Sequence, residues 1–395
     1  MAYVNLKKRK KQKLLSAVLP AALCAAALLP LGAAYADPAA VKASQPEAAV
    51  TARANLSAPS WPLYQQFLNL NYQAGRIIDY SDKRQITTSE GQSYAMFFSL
   101  VAGDEKTFDA LQRFNEEKLR QPNGLYAWLY GSKEDGTLGV LDANDAADSD
   151  LFIAYNLLEA GRLWGRDDYR ERGLELCQAI KQLTVKVDNL GALLLPGLQG
   201  FDKREDGYIT LNPSYYPYFL LRRLSLEDRE FSQLNQNLTR ALLRASPSGV
   251  VPDWARFNLR GQFIPTPSDT GAYNAIRVYL FSGMILKSDP IYQQLRTHFA
   301  PMINAVRSQK AAPSEVAAHE LTFRQMGPYY LTAAFLPYLR TDKSAALLRA
   351  ELYQEGLMKE RYYGNVLSLF ALGFDEGRYY FDQNGRLVLP ERAGR

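Results

Sequence analysis

The chain has 395 residues, 46 Lys and Arg against 41 Asp and Glu, a formal charge of +5, and an aromatic content of 12 %. Lys7, Lys8, Arg9, Lys10, Lys11 and Lys13 precede an apolar run from Leu14 to Leu31 and the small-x-small site Ala34-Tyr35-Ala36, the pattern of a cleaved secretory signal over residues 1–36. Removing that segment takes away those six cations and no anion, so the formal charge falls from +5 to −1 and the composition excludes nucleic acid as a partner.

An uncleaved anchor is the alternative, but Pro20 and Pro30 interrupt the apolar run, so a periplasmic or secreted chain free of the membrane is expected. Cys177 is the one cysteine left after cleavage, which excludes an intrachain disulfide. His298 and His319 are the only histidines and neither has a neighbouring ligand, so no His-based metal site, Ser-His-Asp triad or other metal centre is expected. No P-loop or dinucleotide fingerprint is present, and no cofactor is expected.

Residues 37–60 are rich in Ala, Pro and Ser without apolar periodicity and read as a flexible tail. The globular domain, 61–395, opens with a helix marked by Trp61, Leu63, Tyr64, Phe67 and Leu68. Ser89 with Gln92 fits a capping box, so a second helix starts at Ser89 and carries Glu90 in its first turn. Tyr94, Met96, Phe97, Phe98 and Leu100 make that helix apolar nearly all round, and Phe108, Leu111 and Phe114 give an amphipathic one after the Gly103-Asp104 turn. The same two-helix unit recurs, with apolar members beginning near Asp148, Asn212, Tyr273, Gly327 and Tyr362. Amphipathic partners follow over 167–185, from Phe231 to Leu242, over 289–306 and over 344–357.

Helices apolar on all sides are buried, and those with one stripe lie outside. With the Trp61 helix, the count is six inner and six outer, which an all-α (α/α)6 barrel satisfies; an open helical solenoid is the alternative. The segment 379–389, with Asn384-Gly385 between alternating apolar residues, predicts a short β-hairpin.

If the inner helices share one face, their N-termini bring together Glu90, Asp148 with Asp150, Ser214 with Tyr215, Asn274, and Tyr362 with Tyr363. Glu90 and Asp148 each have a purely structural role open to them, the first complementing the helix dipole and the second acting as an N-cap. A pair of carboxylates ringed by aromatics is also what glycoside hydrolysis requires, one as acid for the leaving oxygen and one as base for a water.

The blocks Ile86-Thr87-Thr88-Ser89-Glu90-Gly91-Gln92-Ser93-Tyr94, Ala147-Asp148-Ser149-Asp150-Leu151-Phe152, Asn212-Pro213-Ser214-Tyr215, Pro252-Asp253-Trp254 and Ala275-Ile276-Arg277-Val278-Tyr279 resemble glycoside hydrolase family 8, in particular the endoglucanases that accompany bacterial cellulose synthases. The resemblance covers residues 61 to 389. It implies an (α/α)6 barrel that hydrolyses internal β-1,4 bonds of a glucan with inversion and without a cofactor. It also implies a monomer working beside the cellulose synthase secretion machinery. By position Glu90 matches the general acid, Asp148 a catalytic Asp often given as a nucleophile and here expected to bind and distort the sugar and assist the water, Trp128 and Tyr215 the cleft lining, and Arg277 a brace. Asp150 and Asn274, from the same convergent ring, are placed with the substrate-binding residues.

One position departs from that pattern. Where the cellulose-associated enzymes carry Ser-Tyr-Asp with Asp as the base, this chain has Ala272-Tyr273-Asn274, and an amide orients a water without taking its proton. Asp269, in the loop 265–271, is the candidate replacement, with Asp253 behind it. The competing expectation is a glucan-binding barrel whose catalysis is impaired by Asn274. Cellulose, mixed-linkage glucan, xylan and chitosan all remain open as substrates.

Overall fold

The computed structural model describes residues 60–267 and 269–390. The expected signal over 1–36 and nearly all of the tail 37–60 lie outside the described residues. Thirteen α-helices occur among them: α1 Pro62–Asn71, α2 Ser89–Ala102, α3 Glu105–Phe114, α4 Ala147–Trp164, α5 Asp167–Ile180, α6 Tyr218–Leu224, α7 Glu230–Ala245, α8 Ile276–Gly283, α9 Pro290–His298, α10 Ala300–Gln309, α11 Leu336–Leu339, α12 Lys343–Glu355 and α13 Tyr362–Asp375. No described helix is long and apolar enough to cross a membrane.

The difference between inner and outer helices follows from their sequences. In α2 every residue from Gly91 to Leu100 is buried, whereas α3 buries only Phe108, Leu111 and Gln112. The helix α2 packs against α3 and α4, α4 against α5 and α6, α6 against α7, and α13 against α1. Five helices meet in one aromatic core. Phe370 of α13 lies 5.0 Å from Tyr94 and 5.3 Å from Phe97 of α2. Phe281 of α8 sits 5.3 Å from Phe370 and 5.5 Å from Phe152 of α4, which in turn reaches Phe219 of α6 at 6.2 Å. Edge-on and offset-stacked aromatic pairs add roughly 0.5–1.5 kcal/mol each beyond the area they bury.

Several inner helices are shorter than the periodicity suggests. The segment beginning at Asn212 forms a 3₁₀ turn, Pro213–Tyr215, before α6, because Pro213 and Pro217 lack the amide protons a continuous helix needs. The stretch from Gly327 is largely 3₁₀, Tyr329–Phe335, before the four-residue α11. The outer stretch 289–306 is two helices broken at Phe299, with Pro301 in the first turn of α10.

The all-α expectation needs a correction in the connections, which among the described residues fold into five small antiparallel sheets besides the C-terminal hairpin. One of them matters most for position. Thr87–Thr88 pairs with the strand Ala127–Ser132, itself paired with Leu138–Asp145, so the residues preceding α2 are fixed from the side. Thr87 is buried, accepts from Arg76 Nε at 2.9 Å and donates to the Ile77 carbonyl at 2.6 Å.

The expected C-terminal hairpin is formed by Tyr380–Phe381 and Leu387–Val388. Phe381 stacks on Phe219 at 3.7 Å, and the Tyr155 hydroxyl donates to the Gly385 carbonyl at 3.0 Å. Glu159, fully buried in α4, accepts from Arg223 Nε at 2.5 Å and from the Leu387 amide at 2.8 Å. Glu159 follows Asp148 by eleven residues on one helix, about 16 Å along the axis. The hairpin therefore docks far down α4 from the first turn that carries Asp148.

Candidate active site

Glu90 is delivered by a helix start whose cap differs from the expectation. Thr88, not Ser89, is the N-cap, its hydroxyl accepting from the Gly91 amide at 3.0 Å. Gln92 is not part of a capping box. It is buried and turned inward, accepting from the Ile77 amide at 2.7 Å and donating to the Gly75 carbonyl at 3.0 Å. Thr88 ties the first turn of α2 to the strand Thr87–Thr88, and Gln92 ties it to the earlier segment Gly75–Ile77.

Asp148 does not cap α4 either. Ala146 holds that position, and Asp148 sits in the first turn, accepting from the Ser149 amide at 2.8 Å. The carboxylate oxygen Oδ2 is left for Arg277 of α8.

Arg277 joins the predicted residues. One terminal nitrogen, Nη1, donates to Glu90 Oε2, to Asp148 Oδ2 at 3.1 Å and to the Tyr94 hydroxyl at 3.1 Å. The other, Nη2, donates to Ser214 Oγ and Asn274 Oδ1, both at 3.0 Å. The guanidinium carbon lies 5.6 Å from the Tyr215 ring centre. A planar fork with five donors suits this task, and an ammonium does not. Arg277 and Asp148 are 3 % and 5 % exposed, while Glu90 keeps 22 %, so Glu90 is the member of the cluster that opens to solvent. The Tyr362 hydroxyl donates to its other oxygen, Oε1, at 3.2 Å.

Burial pushes Glu90 above the ordinary carboxyl range, Arg277 pulls it back, and the charge of Asp148 pushes it up again. Asp148 is likewise raised, by burial first and against Arg277. The helix dipole is not the main opponent of burial here; the guanidinium is. Two carboxylates beside one cation form a neutral cluster only when they keep one proton between them, and such a pair titrates as a unit. The more exposed Glu90 is the member placed to hand that proton to a bound oxygen.

Glu90 and Asp148 share one nitrogen of Arg277, so their facing oxygens lie within about 6 Å, two hydrogen-bond lengths laid end to end. That spacing leaves no room for a sugar and a water between them, and an inverting base has to be a third group.

Asn274 is held with its Oδ1 on Arg277, which leaves its amide nitrogen, a donor, as its remaining side-chain polar group. Asp253 Oδ1 accepts from the amides of Ala272 and Ala275 at 2.9 and 2.8 Å, tying down the chain that enters α8. Asp269 is bound to Thr266, with its amide at 2.8 Å and its hydroxyl at 2.5 Å, and to His319 Nε2 at 3.0 Å. Those contacts do not include Glu90, Asp148 or Arg277.

Asp150 is separated from the cluster. Two residues along a helix turn the side chain by about 200°, so Asp148 and Asp150 face opposite ways. Asp150 is fully buried and accepts from the Tyr126 amide at 3.1 Å, at the root of the strand that carries Trp128. Trp128 itself is half-buried on that strand.

Aromatic rings flank the cluster. Trp254, 38 % exposed, stacks on Phe201 at 5.5 Å and lies 6.2 Å from Tyr215. Tyr273, 45 % exposed, lies 6.0 Å from Tyr363. Flat exposed rings of this sort suit the apolar faces of sugar rings, with neighbouring polar groups left for the hydroxyls. Tyr94 and Trp254 carry no role in the sequence reading; Tyr94 was legible as the i+4 neighbour of Glu90 on the same helix face. Among the described residues no three His, Cys, Asp or Glu side chains are grouped to hold a metal ion.

The family model for glycosyl hydrolases family 8 matches residues 39–377. An endoglucanase of Salmonella typhi is 38 % identical over 340 residues, covering 84 % of this chain and 91 % of the relative. An endoglucanase of Xanthomonas axonopodis pv. citri (strain 306) is 36 % identical over 363 residues, covering 86 % and 93 %. Among solved structures, the endo-1,4-D-glucanase from Vibrio fischeri ES114 superposes with a TM-score of 0.78 at 37 % identity, covering 84 % of this chain and 99 % of its own. With the family match spanning the helices that carry Glu90, Asp148 and Arg277, the chain belongs to glycosyl hydrolase family 8.

Proposed function

We propose that this chain is an exported endo-β-1,4-glucanase that cuts internal bonds of cellulose-type glucans with inversion and works in the setting of bacterial cellulose synthesis. The observation that carries the reading is the Arg277 cluster, in which an acid open to the cleft and a buried carboxylate share one cation. The names of the relatives, endoglucanases in every case quoted, agree with it. We take the helices as six pairs closing an (α/α)6 barrel, a closure favoured by the α1–α13 contact and the shared aromatic core.

In this scheme Glu90 protonates the leaving oxygen, Asp148 and Arg277 hold the sugar in the ring shape that precedes cleavage, and Trp128, Tyr215 and Asn274 line its path. Asp150 acts from behind by fixing the Trp128 strand. Asp269 supplies the base. It is favoured because Asn274 offers a donor and Asp253 is committed to two backbone amides. To act, Asp269 exchanges its Thr266 and His319 partners for the attacking water when a glucan fills the cleft.

Asn274 also supports a second reading, a glucan-binding protein with impaired turnover. Release of reducing ends from carboxymethylcellulose, measured beside binding of the same polymer, separates the two. Binding without release would overturn the enzyme. Product profiles on cellulose, mixed-linkage glucan, xylan and chitosan then fix the substrate, and NMR of the first-formed anomer fixes the stereochemistry.

A further inference from the structure

The two oxygens of Glu90 have different partners, and the difference assigns the proton. Oε2 faces Arg277 Nη1, which also binds Asp148 and Tyr94. A guanidinium has no acceptor, so a proton on Oε2 would point donor against donor. The transferable proton therefore resides on Oε1, whose partner is the Tyr362 hydroxyl at 3.2 Å. Tyr362 comes from the first turn of α13 and is 5 % exposed, so its ring is packed while its hydroxyl reaches the cleft carboxyl.

Gly91 makes that approach possible. A Cβ at residue 91 would lie 3.1 Å from the Tyr362 oxygen and 3.3 Å from Cζ. The residue next to the acid is thus small where the tyrosine passes over it.

Resting on Glu90 as the acid, we propose that Tyr362 is a positioning residue for proton transfer, holding Glu90 Oε1 toward the leaving oxygen and stabilising the carboxylate left behind. In the ground state Oε1 carries the proton and accepts only weakly from Tyr362 through its remaining lone pair. As the glycosidic C–O bond breaks, its electron pair stays on the leaving oxygen, which takes the proton from Oε1. The Tyr362 hydroxyl, itself unchanged, then donates to a full negative charge, and hydrogen bonds to ions are about twice as strong as neutral ones. The interaction is stronger after transfer than before it, which is the condition for accelerating the step.

The groups facing Glu90 are Arg277 from α8, Asp148 from α4, Tyr94 one turn along α2, Tyr362 and Tyr363 from α13, Tyr215 from the turn before α6, and Asp79 in the loop ahead of α2. Only Tyr362 can be changed to an isosteric residue that deletes one donor to Oε1 and leaves every charge in place.

The test is Tyr362→Phe in the full chain, with kcat and KM on cellopentaose measured across pH. Loss of a donor that favours the ionised acid raises the pKa of Glu90, so the basic limb of kcat moves to higher pH. Plateau kcat falls roughly ten- to hundred-fold with KM within two-fold, as expected for one hydrogen bond to a charged group. A raised KM at unchanged kcat, or an unmoved basic limb, overturns the proposal and makes Tyr362 a sugar contact. Gly91→Ala provides a second variant, because it displaces the hydroxyl without removing it. Ala is the better helix former but its Cβ crowds the Tyr362 ring, so melting is read beside kcat, and kcat drops with the same pH shift; unaltered kcat overturns the proposal. Glu90→Gln is run alongside. Retained turnover in that variant defeats the acid assignment itself, whereas an inactive Glu90→Gln beside an unaffected Tyr362→Phe defeats only the role of Tyr362.

Discussion

Replacing Arg277 by Met removes the cation between Glu90 and Asp148 and keeps a side chain of similar length in the same buried place. In the wild type the carboxylates need retain only one proton, because the guanidinium balances the other charge. Without it, folding leaves two buried carboxyls with no counter-ion, and the folded state takes up a second proton rather than bury the charge. Each pH unit between a free carboxyl pKa near 4 and the working pH adds about 1.4 kcal/mol, so at pH 7 the uptake costs the folded state about 4 kcal/mol. The sign is fixed by linkage. Both folded-state pKa values are already raised, and the substitution raises them further, so the folded variant binds more protons than the unfolded chain above pH 4 and loses stability as pH rises. At about 2 cal/mol/K per residue of unfolding entropy, 4 kcal/mol over some 330 ordered residues lowers Tm by about 6 °C. Melting curves of both proteins from pH 4.5 to 8 should therefore converge at the acid end and separate toward the alkaline end. A deficit that is the same at every pH would mean that lost packing alone destabilises the variant, and the charge argument would be wrong.

Glu90→Gln should abolish release of reducing ends while leaving cellopentaose binding within a few fold, since the amide keeps the shape and loses the proton; calorimetry beside the turnover assay checks both. For the base, Asp269→Ala should remove activity and Asn274→Asp should not help if Asp269 does the work, because a new carboxylate would add charge beside Asp148. If Asn274→Asp instead raises turnover by about 10²-fold or more, within the usual range for a general base, the relocated base is refuted. Gly385→Ala should destabilise the fold by about 2 kcal/mol or more. Gly385 has φ +74°, and a Cβ would come within 2.2 Å of the Phe219 carbonyl, so an unchanged Tm would show that the hairpin does not dock as described. Mass spectrometry of exported protein should find Asp37 at the N-terminus; Met1 still attached would defeat the cleaved signal.

Comparison of particular residues shows where sequence is informative. Local pattern suffices where a property depends on neighbours a few residues away. The start of α2 at Ser89, with Glu90 in its first turn, follows from the hydroxyl residues ahead of the apolar run, although the cap is Thr88 and the capping box of Ser89 with Gln92 does not form. The contrast between α2 and α3 follows from periodicity alone, as does the hairpin at 380–388 from its alternation around Asn384-Gly385. The helical repeat is legible for the same reason.

Tertiary structure decided what depends on partners far along the chain. Arg277 meets Glu90 across 187 residues and Asp148 across 129, and no local rule says which carboxylate will share a cation. Thr88 became the cap because pairing with the strand 127–132 holds it extended just ahead of the helix, which frees Ser89 and turns Gln92 into the core. Some of the sheets are hairpins between neighbouring strands, but others join distant segments that local pattern does not connect: Thr87–Thr88 with the strand 127–132, Ala255–Asn258 with Tyr208–Leu211, and Thr270–Gly271 with Pro313–Ala317. Asp150 points away from the cluster by the geometry of its own helix, which sequence contained, but its purpose, holding the Tyr126 amide, emerged only when that strand was laid against α4. The partners of Asp269 lie in its own loop and at His319, fifty residues on, a pairing that spacing does not reveal. Sequence fixes what each short segment can become, and long-range packing chooses which of its polar groups face one another, because a buried hydrogen bond or ion pair is specified by both ends at once.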